Sequence, residues 1–242
     1  MKYVRHSYRY ADEILSSAPY QEAWAEIEGA ILGCPLYIWP NKSKNNRRLD
    51  VVQQLLNTYF ERRLHIDAGW EFHPNATAIA GSQLKADFRK TFGDLVTQAE
   101  VQFGNMARWY SDIFKFQAGY SGQQVRMGIS ILPVASLATR IDSNIAQFER
   151  AIRELPAAEF SITLPILTLG IEPNVSETSP TPVVDVSRSK FTTIGEITGV
   201  GRASNRWRVV NNVILGMPIE AIGPDSPIGP SFDDSGVFDE EA

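Results

Sequence analysis

A chain of 242 residues with 43% hydrophobic side chains can bury one large core, and 21% charged residues lies near the globular average, which excludes wholesale disorder. A single cysteine, Cys34, excludes an intrachain disulfide and fits a reducing compartment. The opening Met-Lys-Tyr-Val-Arg-His lacks the apolar run of a signal peptide, and the longest apolar stretches, near 128–138 and 162–171, are too short and too interrupted by Pro and Gly to cross a bilayer, so a soluble, cytoplasmic protein is expected, with no membrane partner.

The net charge of −5 weighs against a nucleic-acid partner until its distribution is read. Asp225, Asp233, Asp234, Asp239, Glu240 and Glu241 lie in residues 225–242, which carry no Lys or Arg, and without those six charges residues 1–224 stand at +1. A single domain over 1–224 and a flexible acidic tail over 225–242 are therefore expected. Within the body, Lys42-Ser-Lys-Asn-Asn-Arg-Arg48 packs four positive charges into seven residues. Charge is permissive of DNA binding and does not diagnose it.

In chain order, residues 10–32 mix apolar and acidic positions and predict a helix. Residues 34–49 contain Pro35 and Pro40 ahead of the basic cluster and predict a loop or extended segment. From Val51 the apolar positions 51, 52, 55, 56, 59, 60 and 64 make one helical stripe, with Asp50 as the expected N-cap. The period then changes: Leu84, Ala86 and Phe88 alternate with Lys85, Asp87 and Arg89, and beyond Phe92-Gly93-Asp94 the residues Ala99, Val101 and Phe103 alternate with Gln98, Glu100 and Gln102. This pattern predicts a hairpin of two half-buried strands. Met106, Trp109, Tyr110, Ile113 and Phe114 recur at helical spacing; Val125–Leu132 predicts a strand ended by Pro133; Ile145, Phe148, Ile152 and Leu155 predict a helix; and Ile162–Ile171 predicts a strand interrupted by Pro165. The sum is an α/β fold, a mixed central sheet flanked by helices. Residues 172–190 predict an exposed excursion, 191–215 two further strands, and the stretch from about Gly223 a flexible end.

Glu100 and Gln102 are two apart on one strand, so their side chains share a face, and Asp87 lies on the polar face of the strand before. If the strands pair, two carboxylates meet over one patch, and their repulsion is relieved by a hard divalent cation such as Mg²⁺. Such an arrangement suits metal-assisted phosphodiester hydrolysis. By spacing alone, ordinary polar residues on a half-exposed sheet are the commoner explanation of the pattern, and spacing does not decide between them.

The stretch Ala86-Asp87-Phe88-Arg89-Lys90, followed by Ala99-Glu100-Val101-Gln102-Phe103-Gly104, resembles the catalytic hairpin of the BglII and BstYI restriction endonucleases, relatives of BamHI. That group has Glu-x-Gln where other PD-(D/E)xK nucleases have Glu-x-Lys. The resemblance continues through Tyr110-Ser-Asp-Ile-Phe-Lys115, Gly128-Ile-Ser-Ile-Leu-Pro-Val-Ala-Ser-Leu137 and Pro165-Ile-Leu-Thr-Leu-Gly-Ile-Glu-Pro173, covering about half the chain. It implies a restriction-endonuclease-like core over about 50–173, a DNA-contact or accessory segment over 174–224, and Mg²⁺-dependent cleavage of double-stranded DNA by a homodimer, with a cognate DNA methyltransferase acting separately. It implies Asp87, Glu100 and Gln102 as catalytic residues, with Asp87, Glu100 and the Val101 carbonyl on the metal. A gap from Asp87 to Glu100 longer than in BstYI predicts a longer hairpin turn and leaves Asp94 as a rival ligand. The relatives named all read GATC, so a site containing GATC is also implied. A repair nuclease of the same fold, or a DNA-binding module without catalysis, remains an alternative reading.

For DNA contacts, Lys42, Lys44, Arg47 and Arg48 are candidate phosphate ligands, with a solvated loop as the alternative. Arg202, Asn205, Arg206 and Arg208 are candidates for base edges, with a salt-bridged surface strand as the alternative. Ser136, Thr139, Arg140 and Asn144 are further candidates for setting the site read. His6, His65 and His73 show no ligand spacing and read as surface or packing residues.

Overall fold

In the computed structural model, residues 1–221 are described. The strands are β1 (Lys2–Tyr8), β2 (Leu36–Ile38), β3 (Glu71–Phe72), β4 (Phe88–Phe92), β5 (Leu95–Val101), β6 (Met127–Pro133), β7 (Ile166–Glu172) and β8 (Val183–Asp185). The helices are α1 (Ala11–Ser16), α2 (Gln21–Leu32), α3 (Gln53–Phe60), α4 (Met106–Ser121), α5 (Ala135–Ile141), α6 (Phe148–Glu154), α7 (Gly195–Thr198) and α8 (Ala203–Ile214). Six strands form one sheet in the order β1-β7-β6-β5-β4-β3, and β2 pairs in parallel with β8 apart from it. The inner strands β5, β6 and β7 are parallel, while the outer pairings are antiparallel. Every residue of β6 and all but the last of β7 are buried, which is why these strands read as near-continuous apolar runs.

α4 carries the chain from β5 to β6 and lies on the sheet through Phe116, over Gly128. A Cβ at Gly128 would stand 3.0 Å from the Phe116 ring, so the missing side chain sets how closely the helix approaches. Among the described residues no helix is long and apolar enough to cross a membrane.

Several sequence expectations are corrected. Residues 10–32 are two helices, parted by a short 3₁₀ turn that contains Pro19. Asp50 does not cap α3; Val52 holds that position without a side-chain bond, and Asp50 instead takes both Nε and Nη2 of Arg140 at 2.9 and 2.7 Å. The helix after Val51 runs on through Glu61–Asp67 as a widened π-helical stretch, closed by the bond from Ala68 N–H to the Arg63 carbonyl at 3.1 Å. The β4–β5 turn is short: Phe92 pairs with Leu95, leaving only Gly93 and Asp94 between them, and Gly93 takes φ 61° as a tight hairpin favours. The polar face of β5 is not solvent-facing, because α4 covers it and Gln98 and Glu100 are fully buried. Residues 191–215 form α7 and α8 rather than strands; the β-branched run Val209-Val210 is buried as α8 packs on α3. Tertiary burial there overrides strand propensity. The excursion over 172–190 is pinned by β8. The acidic residues of 225–242 and the end from Gly223 lie outside the described residues.

Candidate active site

Asp87 stands immediately before β4, one step beyond the Phe88–Ala99 pair, and so meets Glu100 across the hairpin. The backbone N–H of Val101 donates to Asp87 Oδ2 at 2.8 Å, and the N–H of Asp87 donates to Glu100 Oε2 at 3.3 Å. Gln98, on the same strand face, donates to Glu100 Oε1 at 2.8 Å. Each carboxylate is thus oriented by groups that do not move independently of the sheet.

Two further charged residues enter from α4. Lys115 Nζ donates to Glu100 Oε2 at 3.0 Å and to Asp112 Oδ1 at 2.8 Å. Gln102 Nε2 donates to Asp112 Oδ2 at 2.9 Å, and Gln102 Oε1 accepts the N–H of Gly104 at 2.7 Å. Asp112 and Lys115 fall within one of the motifs that carry the sequence resemblance, which assigns them no role. The available signal was position: Asp112 falls on the face made by Met106, Trp109, Ile113 and Phe116, where an unpaired carboxylate would be costly.

Burial, and then the charges of Asp87 and Asp112, push the Glu100 carboxyl well above the usual carboxylate range, against the opposing pull of Lys115. Burial likewise raises Asp112, to about 6. For Lys115 burial works downward, but Glu100, Asp112 and Asp87 outweigh it and hold the ammonium above its ordinary value. Among the described residues no three His, Cys, Asp or Glu side chains are grouped as a metal site. Lys115 stands between two of the three carboxylates that would form one.

These groups open on a cavity of about 330 Å³. Asp87, Val101, Gln102, Asp112 and Lys115 line it, with Glu61 from the π-helical stretch and Thr198–Val200 and Arg206 from α7 and α8 opposite. His73, read from sequence as a packing residue, also lines it, and its N–H donates to the Asp87 carbonyl at 3.0 Å. Glu61 is half-buried with its Oε1 enclosed, and burial raises its carboxyl to about 8 while Arg206 opposes the shift. A smaller cavity shares Gln54 and Arg108 with the first and reaches Asn105 and Asn144, so one groove runs from Asp87 to the end of α5.

Asp94, the rival ligand, is at the hairpin tip, hydrogen-bonded by Tyr20, at the opposite end of β5 from Glu100; it does not join the cluster. The candidate DNA residues divide. Lys44, Arg47 and Arg48 are exposed. Lys42 is not a free cation of that loop: its ammonium donates to the Val51 and Ile141 carbonyls at 2.6 and 3.1 Å, tying the loop to α5. Arg140 is held by Asp50, Thr139 donates to the Ser136 carbonyl, and Ser136 faces Glu172; Asn144 is exposed in the groove. Arg206 is buried and donates to the Ile197 and Gly199 carbonyls at 3.3 and 3.5 Å, and Asn205 donates to that of Glu196, so both brace the α7–α8 corner. Arg202 is exposed and Arg208 half-buried on α8.

The family model for restriction endonuclease BglII/BglIII matches residues 3–171. The chain belongs to that family. It is thereby a type II restriction endonuclease, a site-specific DNA nuclease, and its mixed sheet flanked by helices is the BglII fold. Among solved structures, restriction endonuclease BglII complexed with a DNA 16-mer superposes with a TM-score of 0.59 at 21% identity, over 73% of this chain and 81% of that one. Free BglII gives 0.52 at 23% identity, over 73% and 82%. Curated protein sequences give no significant match. The family match ends at residue 171, whereas the α7–α8 wall of the cavity lies beyond it.

Proposed function

We propose that the protein is a Mg²⁺-dependent homodimer that hydrolyses both strands of DNA at a short palindromic site, leaving 5′-phosphate and 3′-hydroxyl ends. The observation that carries this reading is the Asp87–Glu100 pair, held by the hairpin at the floor of a cavity in a chain of the BglII/BglIII family.

The donor set fits a hard divalent cation. Glu100 and Asp112 flank the Lys115 ammonium and Asp87 meets Glu100 across the hairpin, and carboxylate oxygens are the ligands Mg²⁺ prefers. Asp87, Glu100 and the Val101 carbonyl would hold the ion, with water and substrate phosphate completing its shell. When bound, it supplies positive charge to offset what develops on the phosphate as the scissile bond breaks. The chain's own groups keep the ligands fixed: Val101 N–H orients Asp87, and Gln98 and Asp87 N–H orient Glu100.

Exposed Lys44, Arg47 and Arg48 supply phosphate contacts beside the groove, and Asn144 together with Ser136 and Thr139 supplies polar edges for bases. Arg202 and Arg208 offer a second charged edge on α8. The complex of BglII with a DNA 16-mer supports DNA as the ligand. A palindromic site calls for two-fold symmetry, and the outward face of α4, with Phe114 63% and Tyr110 44% exposed, supplies an apolar patch for a second copy. A separate methyltransferase of matching specificity protects the host's own sites.

The test is digestion of a plasmid of known sequence with Mg²⁺, Ca²⁺ or EDTA, followed by sequencing of the ends. Discrete fragments with one shared end sequence, in Mg²⁺ only, are expected. Absence of cleavage, or ends without a common sequence, contradicts the reading.

A further inference from the structure

A phosphodiester under attack gains negative charge inside a cavity that already holds carboxylates, so a cation belonging to the protein has a place in the chemistry. Gln102 does not serve: it has no charge, its carbonyl oxygen accepts from Gly104, and its amide donates to Asp112. Lys115 is placed differently. Its ammonium has three donors, of which Glu100 and Asp112 take two, and the side chain borders the cavity with 15% of its surface exposed. One donor is left for a ligand on the cavity side, beside the Glu100 carboxylate.

We infer that Lys115 is a catalytic residue whose ammonium, seated between Glu100 and Asp112, contacts the scissile phosphate or the attacking water. Asp112 is then a positioning residue. It receives Lys115 on one oxygen and Gln102 on the other, so the helix-borne ammonium and the strand-borne amide are fastened to one carboxylate. The helix spacing makes this possible: positions 112 and 115 are three apart and project from one face of α4, above Glu100. Lys115 neither gains nor loses a covalent bond in the reaction. Water oxygen joins phosphorus as the P–O3′ bond breaks, the proton of water leaves to solvent, and O3′ takes one up; Lys115 contributes hydrogen bonding and charge throughout.

The inference rests on the nuclease reading above, and its test separates the two. Wild type, Lys115→Met, Lys115→Arg and the double variant Gln102→Lys/Lys115→Met are compared in single-turnover cleavage with Mg²⁺, in DNA affinity with Ca²⁺, and in thermal midpoint with Ca²⁺. Lys115→Met should cut at least about 100-fold more slowly, as loss of one charge-stabilising donor does elsewhere, while DNA affinity stays within about threefold. Lys115→Arg, with a planar cation of different reach, should recover only part of the rate. The double variant returns an ammonium to Asp112 from the strand side and should cut at least about tenfold faster than Lys115→Met. Cleavage by Lys115→Met within about threefold of wild type overturns the inference. Parallel loss of cleavage and DNA affinity, with neither restored in the double variant, also overturns it and makes Lys115 a structural tie. If Lys115→Met does not fold, the double variant decides: cleavage supports the inference, and DNA binding without cleavage overturns it. A wild type that cuts nothing overturns the nuclease reading instead.

Discussion

Asp87 and Glu100 are tied across the hairpin by crossed bonds: the N–H of Asp87 binds the Glu100 carboxylate, and the N–H of Val101, beside Glu100, binds that of Asp87. Each side chain is fixed by the other's strand. Replacing Asp87 with Ala removes one proposed metal ligand and the anchor of Val101. Cleavage should fall by at least about 1000-fold, because metal placement acts on the transition state, while DNA affinity in Ca²⁺, set by phosphate and base contacts, changes little. Asp94→Ala should cut like wild type. Cleavage kinetics and a binding isotherm on both variants check this, and an active Asp87→Ala beside an inactive Asp94→Ala would reverse the ligand assignment.

Glu61 predicts a pH dependence of stability. Its carboxyl is raised from 4.5 to about 8 by burial, so the folded state prefers the protonated form. The resulting stability is fully present below the unfolded value and is lost as pH rises through about 8, at up to about 1.4 kcal/mol per pH unit between the two. Glu61→Gln should flatten that decline. Denaturant unfolding of both proteins at pH 5, 7 and 9 measures it; equal slopes for the two would show that Glu61 is not the group responsible.

The exposed cations of the loop after β2 should act without regard to sequence. A Lys44→Ala/Arg47→Ala/Arg48→Ala variant is expected to weaken cognate and random DNA in similar proportion. Its slope of log affinity against log salt should be smaller by up to about 0.9 for each phosphate that the loop no longer neutralises. An unchanged slope in a fluorescence titration would place the loop away from DNA.

Phe114 is expected to lie at the subunit interface. Phe114→Asp puts a charge in an apolar patch and should shift the dimer towards monomer without lowering the thermal midpoint of the fold, since the ring is mostly exposed. Sedimentation velocity reads the outcome, and a variant as dimeric as wild type would move the interface to another surface.

Cut ends should contain GATC, as the BglII, BstYI and BamHI resemblance implies. Each bidentate base contact is worth only about 1–3 kcal/mol, so a few groove side chains could change the site while the fold stays as it is. Asn144→Ala should therefore relax the sequence preference more than Arg140→Ala, whose guanidinium is already bonded to Asp50. Sequenced ends lacking GATC would reject the first half of this prediction, and an unrelaxed Asn144→Ala the second.

The hairpin that carries Asp87 and Glu100 is legible in the sequence because alternation of period two and a Gly-Asp turn mark paired strands whatever packs on them. The surroundings of Glu100 are not. Alternation treats a polar residue as solvent-facing, yet Glu100 is buried because Gln98 and Lys115 meet its oxygens, and Lys115 is separated from it by a turn and most of a helix. β1 escapes the sequence for a different reason. Lys2 and Arg5 give no apolar alternation, and the strand exists because it pairs antiparallel with β7, which lies far along the chain. α8 reads as strand because Trp207, Val209 and Val210 favour strands locally, while the face they bury against α3 has helical spacing. The α5 residues Ser136, Thr139 and Arg140 stand out as polar groups, but a helix of seven residues gives too short a stripe to declare itself.

Gly128 has a consequence for how the enzyme could drift. Its hydrogen faces the Phe116 ring, and Phe116 neighbours Lys115 on the same helix, so the spacing between β6 and α4 also meters the reach from Lys115 to the hairpin. An alanine there would ask the ring to yield by a few tenths of an ångström. The burden would pass along α4 to an ion pair whose geometry tolerates little, although no polar atom had been altered. Residues that carry no polar side chain can thus hold the calibration of the proposed cutting centre, and an inactive variant need not carry its lesion among the charged groups.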